Sequence, residues 1–196
     1  MVEKKGALRR AIATVAALNL GYFGVELAVA LSIGSVSLVA DSADFFEDAA
    51  VNFLILAALG WSARIRARVG MALAGVLLAP AAAFLWTLWR KLAAPVPPDP
   101  VALGLTGLGA LVVNLTCAVL LARYRHHAGS LTQAAFLSAR NDAAANLGII
   151  AAGFATAITG SIWPDVVVGF AIAAMNLDAA RQVWTAARGE HAAAEP

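Results

Sequence analysis

The sequence predicts an all-α polytopic membrane protein, a six-transmembrane-helix bundle with both termini in the cytoplasm. Three observations carry that reading. Of the 196 residues, 61% are hydrophobic and only 13% charged, and the mean hydropathy is +0.79, too apolar for an ordinary soluble domain. Apolar runs of roughly 20 residues, the length that spans a bilayer core, recur along the whole chain. The basic residues gather at alternate ends of those runs.

The first run, Ala11 to Ile33, follows Lys4, Lys5, Arg9 and Arg10. A basic start before an apolar run looks like a secretory signal, but Glu26 inside it and the runs that follow argue for a helix that is kept. Gly34-Ser35 marks a turn into the second run, Val36 to Trp61, which ends before Arg64, Arg66 and Arg68. The third, Val69 to Trp89, stops at Arg90 and Lys91, and the Pro-rich stretch from Ala94 to Pro100 breaks the chain. The fourth, Val101 to Ala122, precedes Arg123 and Arg125. The fifth and sixth, Leu131 to Ile158 and Ile162 to Ala186, are separated by Gly160-Ser161, with Arg181 and Arg188 at the end. If the runs alternate in direction, only Arg90 and Lys91 oppose the other flanking cations, and Arg140 lies within a run. The positive-inside rule then puts both termini inside, in a prokaryotic inner membrane. The whole chain is expected to be one transmembrane domain.

Several function classes are excluded by composition. One cysteine, Cys117, lies within the fourth run, so neither a disulfide framework nor a thiolate metal cluster is available within the chain. A pI near 9.0 can indicate nucleic acid, but here the basic residues flank spans, so the expected partner is the lipid bilayer and not nucleic acid. No prosthetic group and no enzymatic activity are expected.

The second run breaks the apolar rule. It reads Asp41-Ser-Ala-Asp44-Phe-Phe-Glu47-Asp48, and each acid near a helix centre costs on the order of 2.5 to 3.5 kcal/mol to insert. At 100° per residue Asp41, Asp44, Asp48 and Asn52 share an arc of about 80°, with Glu47 to one side. The fifth run carries a second polar stripe, Ser138, Asn141, Asp142 and Asn146, while Arg140 points the opposite way. Counting about 1.5 Å of rise per residue from opposite membrane faces brings Asp142 level with Asp44, and Ser138 level with Asp48. Two i, i+4 pairs from antiparallel helices could frame a four-coordinate ion. Three buried carboxylates need cations or protons for compensation.

The remaining polar residues read more plainly. Glu26 lines the same cavity or pairs with Arg140. His126 and His127 belong to a solvated loop. Asn114-Leu115-Thr116 matches a glycosylation sequon but falls inside a span. Asp165 is a first-turn acid of the sixth span, and Asp178 pairs with Arg181.

Two segments resemble the cation diffusion facilitator family of metal exporters. Gly34-Ser-Val-Ser-Leu followed by Asp44-x-x-x-Asp48 is similar to that family's second helix, and Phe136-Leu137-Ser138-x-x-x-Asp142-x-x-x-Asn146 to its fifth. The resemblance implies a homodimer that exchanges Zn²⁺, Mn²⁺, Fe²⁺, Co²⁺ or Cd²⁺ for protons by alternating access. It implies metal ligation by Asp44, Asp48 and Asp142. Ser138 stands where the family usually has His and is a weaker ligand, with Asn141 or Asn146 as substitutes and Asp41, Glu47 and Glu26 as outlying candidates. Loss of an imidazole tilts the site toward harder cations such as Mn²⁺ or Fe²⁺, with Zn²⁺ still able to bind. Family members typically carry a cytoplasmic metal-binding domain after the sixth span; this sequence runs only a few residues past Arg188, so a dimer is expected to form through the spans.

The function expected is divalent cation efflux by metal/proton antiport. The rivals are a non-transporting scaffold or sensor with a degenerate metal site, and a membrane-embedded metal-dependent lipid enzyme. The second run lacks the Asp-Gly and Ala-Arg pattern that such enzymes use to hold a nucleotide.

Overall fold

The computed structural model describes residues 2–58, 78–122, 124 and 130–176. Within them lie six helices: α1 (Val2–Ile33), α2 (Val36–Ala58), α3 (Leu78–Ala93), α4 (Pro100–Ala122), α5 (Ser130–Thr159) and α6 (Trp163–Asn176). No strand occurs among the described residues. Helix α1 begins well before Ala11: Lys4 to Arg10 hold no proline, and Ala7, Leu8, Arg9 and Arg10 are good helix formers that offset Gly6. The inner ends of the second and third runs, His126, His127, Asp178 and Arg181 lie outside the described residues.

Gly34 and Gly160 have φ of +63° and +60°, the left-handed conformation that ends a helix at low cost only for glycine. These two turns set α1 against α2 and α5 against α6. Helix direction alternates: the C-terminal ends of α1 and α3 meet the N-terminal ends of α2 and α6 through hydrogen bonds and an ion pair. The most extensive packing joins α1 to α2 and α4 to α5; α2 meets α5 over a smaller area.

The distribution of polarity is that of a protein in lipid. Helix α4 turns Val101, Leu105, Leu108, Val112, Leu115 and Val119 outward and buries Thr106, Asn114 and Cys117. Phe154 and Ile158 on α5 are 70% and 84% exposed, whereas Asn19, Glu26, Asp41 and Asn146 are fully buried. Water would drive this arrangement the other way; a hydrocarbon solvent stabilises it. Gly6–Ile33, Pro100–Ala122 and Ser138–Thr159 are each long and apolar enough to cross a membrane. Helix α2 has the length and is disqualified only by its four acids.

Small residues let the helices approach. A Cβ on Gly169 of α6 would lie 2.9 Å from a Val36 methyl and 3.0 Å from the Ser37 nitrogen at the start of α2, so backbone would have to move. One on Gly148 would meet Val168 at 3.6 Å, an ordinary contact. Gly169→Ala should therefore destabilise the bundle, since overpacking costs about 1–3 kcal/mol against about 1 kcal/mol gained in helix propensity. Gly148→Ala should be neutral or stabilising. Thermal unfolding of both variants in detergent checks the contrast.

Candidate metal centre

Helix α2 carries most of the acids, and its N-terminus is held in unusual detail. Ser35 is the N-cap: its hydroxyl accepts the Leu38 N–H at 3.1 Å. The fully buried Asp165 of α6 accepts the next two orphan amides, Val36 N–H at 2.9 Å and Ser37 N–H at 3.0 Å, and the hydroxyls of Ser35 and Ser37 at 2.7 Å each. A carboxylate at a helix N-terminus also meets the positive end of the macrodipole. Lys91 of α3 completes the cluster, with Nζ 4.0 Å from Asp165. Lys91 lies just beyond the third apolar run, where burial lowers its pKa and Asp165 pushes it back up. The first-turn acid of the sixth run thus caps a different helix, a role its local sequence does not reveal.

Three turns into the bundle the acids of α2 meet α5. The Ser138 hydroxyl lies 3.0 Å from Asp48 Oδ1 and 3.4 Å from Asp142 Oδ2. A hydroxyl has one proton to donate, so it can serve only one of these acids at a time. Asn19 of α1 donates to the other Asp48 oxygen at 3.4 Å, and its own carbonyl oxygen accepts from Cys117 Sγ at 3.5 Å. Asp44 receives no hydrogen bond from a described residue, and Asp142 is its strongest charged neighbour. Asp44 and Asp142 are half-buried.

A second polar layer lies one turn nearer the Asp165 end. Asn114 of α4 donates to Asn146 at 3.0 Å, and Asn146 donates to Asp41 Oδ2 at 2.6 Å. The remaining Asp41 oxygen and both Glu26 oxygens are buried without a hydrogen-bond donor. The Glu26 and Asp41 carboxyls stand within hydrogen-bonding reach of each other. Two such acceptors side by side need a proton or a cation between them.

The structure separates the sequence candidates accordingly. Asp44, Asp48, Asp142 and Ser138 come together from α2 and α5, whereas Asp41 and Glu26 form the layer behind. Asn146 belongs to that rear layer, with its amide nitrogen on Asp41 and its oxygen engaged by Asn114. Glu47 is half-buried beside the stripe and acts on the cluster through charge alone. Two expectations are corrected. Asn141 is exposed and accepts from Arg140 at 3.3 Å, because its place on the helix turns it away from α2. Arg140 does not pair with Glu26; it is exposed on the outer face of α5, and Glu26 has no basic partner among the described residues. Sequence reading also missed Asn19 and Asn114, whose only signal is a polar amide alone in an apolar run.

Among the described residues no three acid, histidine or cysteine side chains converge tightly enough to hold one ion in this conformation. The arrangement is one of separated carboxylates with a bridging hydroxyl between two of them.

Residues 12–187 match the model of the cation efflux transmembrane domain. The chain belongs to the cation efflux family. A comparison with curated proteins finds no match. Membership bears out the resemblance read from the Asp44-x-x-x-Asp48 and Ser138-x-x-x-Asp142 segments and makes the chain an integral membrane protein whose family moves cations. In this cation efflux domain the acids of α2 are positioned by the Asp165 cap, which gives a direct test. Asp165→Asn keeps one acceptor oxygen but turns an NH₂ toward groups that are themselves donors. Each buried donor left unsatisfied costs about 1–3 kcal/mol, so a clear loss of thermal stability in detergent is expected, larger than for Asp99→Asn, whose exposed carboxylate takes only the Ala102 N–H.

Proposed function

We propose that this protein exports a divalent metal cation in exchange for protons, by alternating access through Asp44, Asp48 and Asp142. The observation that carries the reading is the Ser138 hydroxyl held between carboxylates of two different helices. No basic side chain among the described residues pairs with those carboxylates; the ion pair found is Lys91 with Asp165, at the far end of α2. Acids kept in an apolar interior without a resident cation are suited to a cation that comes and goes. Family membership supports cation efflux, and clustered carboxylates without a basic partner among the described residues support exchange for protons.

The cation enters as substrate. Asp44 and Asp142, which are half-buried, receive it first, and Asp48 joins when Ser138 releases it. Asn19 holds the second Asp48 oxygen and so orients the carboxylate. The N-in, C-in orientation is inferred from the basic flanks, and the outward direction of transport from membership of the efflux family.

Proteoliposomes with an imposed pH gradient test this, scanned over Zn²⁺, Mn²⁺, Fe²⁺, Co²⁺ and Cd²⁺. Asp48→Asn and Asp142→Asn should each lower flux about 100-fold or more, above the 10- to 100-fold typical of groups that only orient a ligand. Asn19→Ala should fall within that lower range. Unchanged metal flux in both aspartate variants would refute the site, and flux indifferent to a protonophore would refute the exchange.

Ser138 offers a second test. Replacing its hydroxyl by an imidazole supplies a borderline nitrogen ligand, which suits Zn²⁺ better than Mn²⁺. Ser138→His should raise the Zn²⁺-to-Mn²⁺ ratio of initial rates measured on the same vesicles.

A further inference from the structure

Arg90 and Lys91 are the flanking cations that oppose the one-sided charge distribution, and metal transport gives them no task. Both line a half-open cavity of about 360 Å³ between the C-terminal ends of α1 and α3. Its lining includes Thr87, Ser32, whose hydroxyl donates to the Val29 carbonyl at 2.8 Å, and the apolar Leu31 and Trp86. Arg90 is exposed and has no partner among the described residues. Lys91 donates to the Val96 carbonyl at 2.9 Å. Its ion-pair partner, Asp165, already accepts four hydrogen bonds from the start of α2. Gly34 has no side chain to screen the ammonium: a Cβ there would lie 3.9 Å from Nζ. The cavity therefore carries an excess of positive charge.

We propose that this cavity seats the phosphate of an anionic phospholipid from the leaflet at that end of the bundle. A guanidinium and an ammonium lining one concavity suit a phosphodiester. At the headgroup level such a basic cavity attracts an anionic headgroup by charge. The apolar surroundings select a lipid over a free anion. Leu31 and Trp86 of the lining are 58% and 63% exposed, Trp89 in ring contact with Trp86 is 54% exposed, and exposed tryptophans mark the headgroup level of a membrane. A lipid satisfies the charged and the apolar lining at once, with its phosphate on the cations and its acyl chains along Leu31 and Trp86. A zwitterionic lipid brings its own ammonium into a cavity that already has two cations, so the headgroup must be anionic.

The occupant would also touch the transport machinery. Lys91 stands between the cavity and Asp165, and Asp165 caps the helix that carries Asp41, Asp44 and Asp48. A phosphate there compensates Lys91 from the second side and steadies this end of α2.

Native mass spectrometry and thermal unfolding test the proposal on full-length protein exchanged into phosphatidylcholine with or without phosphatidylglycerol. The wild-type chain should retain phosphatidylglycerol and unfold at higher temperature with it. Arg90→Gln should lower that retention about tenfold or more, the scale of one lost charged hydrogen-bond pair. Arg10→Gln, an exposed cation at the opposite end, should leave it unchanged. Equal retention by Arg90→Gln and wild type overturns the proposal, as does equal loss in Arg10→Gln. Inorganic phosphate supplies the remaining arm: protection that matches that of the lipid and vanishes in Arg90→Gln would make the occupant a free anion and overturn the lipid assignment. Because Arg90 is exposed and unpaired, its replacement should leave folding intact, and an unchanged unfolding temperature in phosphatidylcholine alone checks this.

Discussion

Inside a bundle surrounded by hydrocarbon, a carboxylate persists only if donors, a proton or a cation compensate it. The acids of this protein differ in how far the fold meets that demand, and the differences sort their roles. Asp165 has two backbone amides, two hydroxyls and a lysine. It is a finished structural group. Asp48 has one hydroxyl and one long amide contact, Asp142 shares the same hydroxyl, and Asp44 has no donor among the described residues. Glu26, in the layer behind, has no donor either; the acids that face one another across α2 and α5 share too few donors for their charge, and there a divalent ion would supply what the protein withholds.

The way the helices pair makes that shortage useful. Helices α1 with α2 and α4 with α5 bury extensive apolar and small-residue faces, and close contacts such as Gly107 against Ile149 leave them little room to slide. The two pairs meet through polar links, Ser138 to Asp48 and Asn146 to Asp41, and through apolar contacts such as those of Ile12 and Val15 on α1 with Cys117 and Leu121 on α4. Hydrogen bonds of this kind can be exchanged for others at small net cost, whereas interlocked apolar packing resists displacement. In the proposed cycle the pairs would move as bodies, with the polar seam between them changing partners. The Asp165 cap sits on that seam's far end and ties α2 to α6 and α3.

How much of this was legible in the sequence follows from the range of each interaction. The turns at Gly34 and Gly160 are local, and the residues announce them. The facing of Ser138 and Asp48 follows from helix rise and alternation of direction, because two straight helices of known polarity have little freedom in register. Asp165 could be read only as a first-turn acid: that it caps α2 depends on a tertiary approach of α6 permitted by Gly169. Asn141 was misplaced because a shared arc on a helical wheel spans too wide an angle to tell an inward residue from a flanking one. Arg140 and Glu26 invited pairing by opposite charge, yet they lie on opposite sides of α5's contact with its neighbours. Charge alone does not bring groups together across a packed helix.

The serine at position 138 constrains any exchange of metal for protons. An imidazole there could bind metal when neutral and carry a proton when the metal leaves, titrating in the physiological range. A hydroxyl has no such second state; it donates one hydrogen bond to Asp48 or to Asp142 and carries no exchangeable charge. In the proposed exchange every returning proton must therefore reside on a carboxyl group. Asp44, Asp48 and Asp142 are the first acceptors, and the Glu26–Asp41 pair, buried behind them without another donor for its free oxygens, adds a further place for a proton close enough to feel the charge of the site. The departure from imidazole thus shifts both jobs, holding the metal and replacing its charge, onto oxygen.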